Sequence, residues 1–188
     1  LEVLAKSGIP HGCHASDSEE GRRLLESARI DDQRLPAVIL LDGHVLLDPT
    51  NAEVFDALGA TDSAERVCDV AVVGAGPAGL TAAVYASSEG LGTLVVEREA
   101  VGGQAGASSL IRNFMGFPRG ISGAQLAQRA YQQSWLLGAR YVFAREVRAL
   151  ERRDDRLIVT PSDGVEISAR AVIIATGAEY RRIGVPAV

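Results

Sequence analysis

Three glycines at Gly74, Gly76 and Gly79 stand between an apolar run and a helix-like stretch, in "VVGAGPAGL" (72–80). This G-x-G-x-x-G spacing suits a backbone that must turn tightly out of a strand and approach a pyrophosphate. It must then lead into a helix packed close on the sheet. Pro77 fits the first helical turn, where its missing N–H costs nothing. Glu97 follows a little over twenty residues after Gly74, at the end of a second apolar run, "TLVVE". A carboxylate there can accept hydrogen bonds from a ribose diol and would repel a 2′-phosphate. Arg98 is discounted as a phosphate hook, because Glu97 holds the ribose position.

The elements that must hold these residues are legible around them. "DVAVV" (69–73) reads as a strand covered on both faces, and a helix is expected over 77–89, ended by Gly90. Strand, helix, strand and acid in register predict a βαβ unit that binds a dinucleotide. These residues alone do not separate FAD from NAD.

Further along, residues 99–123 show little periodicity, and a loop that long inside a compact domain is usually functional. Gly102 and Gly103 could let backbone run against a flat ligand. Gln104 and Asn113 carry amides able to bond ring carbonyls and nitrogens. Ser122 then reads as an N-cap, with Leu126, Ala130, Tyr131, Trp135 and Leu137 as packing residues of a helix. "RYVFA" (140–144) returns as a strand. Residues 146–168 alternate around Asp154-Asp155 and Asp163-Gly164 as a small antiparallel meander, and "RAVIIATG" goes back into the parallel sheet.

Taken together, "GAGPAGL", "VVERE", "GGQ", "NFMGFPRGISG" and "AVIIATGA" resemble the flavin domain of the thioredoxin-reductase-like flavoproteins, a branch of the pyridine nucleotide–disulphide oxidoreductases. The resemblance covers roughly Cys68 to Pro186. It implies an α/β, Rossmann-like FAD-binding fold, a doubly wound parallel sheet with an antiparallel meander. It also implies FAD at Gly74, Gly76, Pro77, Ala78, Gly79 and Glu97, with Gly102, Gly103, Gln104, Asn113, Val147, Ala175, Thr176 and Gly177 along the rest of the cofactor. In that family NADPH reduces the flavin, which reduces a cysteine pair and then a partner disulfide. An FAD-dependent oxidoreductase of the thioredoxin-reductase type is thus implied. Its NADPH site would lie outside these residues, its acceptor would be a thioredoxin-like or other redox protein, and the full-length protein would be a homodimer. The alternatives are an FAD-binding redox-sensor module fused to signalling domains, or a reductase of ferredoxin–NADP or peroxiredoxin type. The family often has a proline soon after Ala-Thr-Gly; here Gly184 stands near that place, with Pro186 beyond.

Ahead of Cys68 the character of the chain changes. Up to Glu65 there are thirteen acidic and five basic residues, against eleven and fourteen afterwards, and fifteen of the 20 glycines lie in the later part. We expect a front module over 1–62, a linker over 63–67 and an incomplete FAD-binding domain over 68–188, in a fragment cut at both ends. The front module reads as strand (in "IPHGCHASD"), helix ("EEGRRLLESA"), hairpin at Asp42-Gly43 and helix ("NAEVFDALGA"). The Leu35-Pro36 step before the hairpin resembles the cis-proline of thioredoxin and glutaredoxin folds, so a small, truncated thioredoxin-like α/β module is expected.

The rest of the composition narrows the function classes. A net charge of −5 argues against a nucleic-acid partner. No apolar run approaches the roughly 20 residues needed to cross a bilayer, and the expected location is the cytoplasm. Cys13 and Cys68, without C-x-x-C spacing, read as inert semi-buried thiols. The three histidines, His11, His14 and His44, make no metal-ligand pattern, and no metal is expected.

Overall fold

The structure is a computed structural model that describes residues 2–30, 34–61 and 66–178. Gly184, Pro186 and most of the expected linker lie outside these residues.

Six strands form one sheet, in the order β5 (Arg140–Phe143), β4 (Thr93–Glu97), β3 (Val67–Val73), β8 (Ile167–Ile174), β7 (Arg156–Pro161), β6 (Val147–Arg153). Strands β3, β4, β5 and β8 are its parallel part. Successive side chains of a strand face opposite ways, and both faces of β3 are apolar. Val70 and Val72 join Val95, Tyr141 and Phe143 on one face, under Leu80 and Ala83 of α4 (Pro77–Ser88) and Ala127 of α5 (Gly123–Leu136). Ala71 and Val73 join Leu94, Val96, Val142, Val159 and Ile167 in a second cluster. Covered central strands of this kind explain the near-continuous apolar runs, rich in valine, in the sequence.

The meander is not a separate unit. β6 (Val147–Arg153) and β7 (Arg156–Pro161) extend the edge of the same sheet. Its expected last strand and "RAVIIATG" are one strand, β8, antiparallel to β7 at its start and parallel to β3 along its length. Ile167 and Ala169 are fully buried, so no break between the two pairings is needed.

The loop over 99–123 contains a 3-10 turn at Gly103–Ala107 and a bridge between Ile111 and Ile121. Ser122 caps α5 by accepting from the Gln125 N–H. Tyr131 packs edge-on against Tyr141, with ring centroids 4.8 Å apart. Trp135, expected to pack, is 61% exposed instead.

In the front part, α1 (Glu2–Lys6), α2 (Glu19–Ala28) and α3 (Asn51–Ala57) accompany a two-stranded sheet of β1 (Ala37–Ile39) and β2 (Val45–Leu47). The hairpin turns at Asp42-Gly43 as expected, with Gly43 at φ 86°, and the Leu35-Pro36 bond is cis. The strand expected in residues 9–17 does not form. No strand among the described residues lies alongside to pair with it, and a segment without a ladder gains no sheet hydrogen bonds. Nor do the two strands among the described residues of the front part establish the expected thioredoxin-like module. α3 packs on the large sheet: Phe55, fully buried, stacks on Phe143 at 4.9 Å.

Candidate functional site

The carboxyl ends of β3, β4 and β8 open on a cleft of about 1020 Å³, at the upper end of the range for small-molecule sites. The glycine loop is its floor, and the three glycines have different tasks. Gly74, at φ 103°, has no room for a side chain, because a Cβ would lie 2.4 Å from the Ala175 carbonyl oxygen. At Gly79 a Cβ would stand 1.9 Å from the Gly74 oxygen, so this glycine lets α4 sit on the loop. Gly76 alone faces open space, with nothing within 4 Å of the position of a Cβ.

Gly76 is also the N-cap of α4, and no side chain caps that helix. The first backbone N–H groups of a helix have no partner within it. Together with the positive end of the helix dipole they make a place for an anion. Pro77 and Ala78 line the cleft beside Gly76.

Glu97 closes the far side of the floor and is 6% exposed. One carboxylate oxygen accepts from the Ala75 N–H at 2.6 Å and the other from the Glu99 N–H at 2.8 Å. Burial pushes the carboxyl above its ordinary value of 4.5, against the opposing effect of these two donors. The side chain lines the cleft, and each oxygen has a lone pair left for a further donor. A desolvated acceptor of this kind fits the hydroxyls of a ribose.

Gly102 and Gly103 divide their work. The Gly102 N–H donates to the Ala75 carbonyl at 2.8 Å, which fastens the 3-10 turn to the glycine loop. Gly102 is buried, and a Cβ there would stand 2.7 Å from the Ala127 Cβ. It serves the packing of α5, not the approach of a ligand. Gly103, at φ 48°, is at the cleft surface, as is Gln104. The Gln104 amide donates to the Ala178 carbonyl and so bridges the turn to the end of β8.

Val147, Ala175, Thr176 and Gly177 all line the cleft. Asn113 does not; it is exposed in the loop between Ile111 and Ile121. Lys6 of α1 and Arg145 and Glu146 between β5 and β6 also reach the cleft and were not expected there. No spacing in the sequence could have found them, since they arrive from distant segments. Cys13 is exposed and Cys68 buried, so neither is the half-buried thiol expected. Among the described residues no group of histidine, cysteine or acidic side chains could hold a metal ion.

Comparison with known proteins agrees with this geometry. The profile of the pyridine nucleotide-disulphide oxidoreductases matches residues 68–188. The thioredoxin reductase of Bacillus subtilis is 40% identical over 124 residues, covering 66% of this chain and 38% of the relative. That of Treponema pallidum is 42% identical over 118 residues, covering 63% and 38%. Among solved structures, the thioredoxin reductase of Streptococcus pyogenes superposes with a TM-score of 0.59 at 36% identity, covering 64% of this chain and 39% of that one. The enzyme of T. acidophilum gives 0.60 at 32% identity, with the same coverage. The chain spans less than two-fifths of these relatives' length. The fold of this part of the chain is thus shared with these enzymes, and the chain belongs to the pyridine nucleotide-disulphide oxidoreductase family.

Proposed function

We propose that the cleft holds FAD and that the chain is the flavin-binding part of an NADPH-consuming reductase of the thioredoxin-reductase type. The observation that carries this reading is the pairing of Gly76, the one loop glycine open to the cleft, with the buried Glu97 carboxylate behind it. Pyrophosphate would lie on the N-terminus of α4 and the adenosine ribose on Glu97. Gly103, Gln104, Val147, Thr176 and Gly177 would border the rest of the cofactor. Asn113 could join it only if the loop carrying it folded over the cleft. Bound there, FAD would supply hydride acceptance from NADPH and its delivery to a disulfide. The protein's own contribution is to hold the anion on backbone donors, accept the ribose hydroxyls at Glu97 and cover the cofactor with the 3-10 turn.

On this reading NADPH and the acceptor, a thioredoxin-like or other redox protein, are bound by residues outside this chain. The relatives' names support such a partner. The front module (1–62), linker (63–67) and FAD-binding domain (68–188) and a homodimer belong to the same proposal. So does a cytoplasmic location, and no described helix is long and apolar enough to cross a membrane.

The test is purification of the intact protein, followed by anaerobic addition of NADPH. A yellow protein whose flavin absorbance is bleached by NADPH and restored by oxidised thioredoxin is expected. Purified protein that neither carries nor takes up FAD would overturn the proposal.

A further inference from the structure

The segment joining β5 to β6 forms one wall of the cleft and is held from behind by the front of the chain. The Arg145 N–H donates to the Glu97 carbonyl at 3.1 Å, so the main chain of Arg145 sets the end of β4 against its neighbour. The Arg145 side chain turns the other way. It donates to the Asp56 carboxylate at 2.7 Å and to the Asp163 carboxylate at 3.2 Å, and more distantly to the carbonyls of Phe143 and Ala144. Asp56 belongs to α3, whose Phe55 stacks on Phe143. The Phe143 N–H in turn donates to the Thr61 hydroxyl at 3.4 Å. Between the two anchored residues, Ala144 stands at φ 52°, a left-handed conformation that alanine rarely adopts. Such a conformation persists where the surroundings fix it from several sides.

We propose that Arg145 is a positioning residue for the nucleotide site, and that docking of α3 on the sheet and binding of the dinucleotide in the cleft favour one another. The proposal rests on FAD as the occupant of the cleft. A cofactor that fits the wall in its docked setting binds that state more tightly. By linkage, the bound cofactor must then strengthen the docking of α3 by the same factor. Asp56 reaches the cleft wall through Arg145, whereas Phe55 also shares its buried cluster with Ala75 of the glycine loop, so Asp56 is the residue that reads the route through Arg145.

The experiment uses the intact protein with Asp56→Ala, Asp56→Glu and Phe55→Leu, each shown to be folded by circular dichroism. FAD is titrated into the apoprotein, and hydrogen exchange of the α3 amides is followed with and without it. Asp56→Ala should weaken FAD about two- to five-fold, the range of a partly exposed ion pair, and Asp56→Glu should restore most of the loss. Phe55→Leu, which keeps an apolar side chain and removes the ring stack, should weaken FAD in the same direction. FAD should slow exchange in α3 of the wild type more than in Asp56→Ala. Unchanged FAD affinity in both Asp56→Ala and Phe55→Leu, or α3 exchange indifferent to FAD in the wild type, would overturn the coupling. Failure of the wild type itself to bind FAD would instead overturn the reading of the cleft, and the coupling with it.

Discussion

The Ala75 N–H donates to the Glu97 carboxylate at 2.6 Å, across twenty-two residues of sequence, and so joins the glycine loop to the end of the next strand. Glu97 therefore has two duties, bracing the loop and facing the cleft. Glu97→Ala should weaken FAD roughly ten- to a hundred-fold, since hydrogen bonds to a charged group are worth about 1.5–3 kcal/mol each. It should also destabilise the apoprotein by about 1–3 kcal/mol, because two backbone donors lose their acceptor. Equilibrium dialysis and urea unfolding check the two effects separately. FAD retention equal to the wild type would remove Glu97 from the site.

The same carboxyl predicts a pH dependence of binding. Burial raises its folded value above 4.5, and the ionised form is the better acceptor for ribose hydroxyls. FAD affinity should therefore fall as pH is lowered from neutrality through that raised value, and Glu97→Gln should flatten the fall. The free energy of apoprotein folding responds in the opposite sense. The contribution of a carboxyl raised on folding is present below 4.5 and lost as pH rises through the folded value.

The glycines separate binding from folding. Gly76→Val should abolish FAD binding and leave the apoprotein folded, since a side chain there enters the open cleft and φ is an ordinary −71°. Gly74→Ala and Gly79→Ala should lower the melting temperature instead, because each forces a Cβ onto a backbone carbonyl. Thermal unfolding of the three apoproteins distinguishes the roles. A Gly76→Val protein that still retained FAD would place the pyrophosphate elsewhere.

Asp163 gathers Arg66 at 2.9 Å and Arg145 at 3.2 Å. Burial by itself would raise its carboxyl, but the hydrogen bonds from Arg66, the Val165 N–H and Arg145 outweigh it and hold it below 3.8. The stabilisation is complete above that unfolded value and is lost as pH falls through the lower folded one. Asp163→Asn should cost about 1–3 kcal/mol near neutrality and flatten the acid limb below roughly pH 4. Urea midpoints across pH give the comparison, and an unaltered acid limb would show that these contacts add nothing.

The two thiols should differ in reactivity. Cys13 is exposed and Cys68 buried, and burial pushes the Cys68 thiol up, which leaves less thiolate to react. A thiol reagent should label Cys13 in the native protein and Cys68 only after denaturation, by mass spectrometry. Neither Cys13→Ser nor Cys68→Ser should alter NADPH-driven flavin reduction in the intact protein.

What the sequence by itself determined is local. The apolar runs at 69–73 and 93–97, the glycine loop between them, the cap at Ser122 and the hairpin turn at Asp42-Gly43 each follow from neighbouring residues. Backbone sterics and side-chain alternation act over a few positions, and the pattern shows there. The acid at Glu97 was legible for the same reason, as the last residue of a recognisable strand. Only the tertiary structure decided which groups face the cleft. Gly102 and Gly103 are adjacent, yet one packs against Ala127 and the other borders the cleft. Asn113 stands away from it, while Lys6 and Arg145 reach its lining from segments before and after the glycine loop. Residues 9–17 found no partner strand among the described residues, and β8 took two partners of opposite direction. Each outcome depends on which distant segment lies alongside, and that is settled by burial of the whole sheet and its helices, a quantity no local window contains.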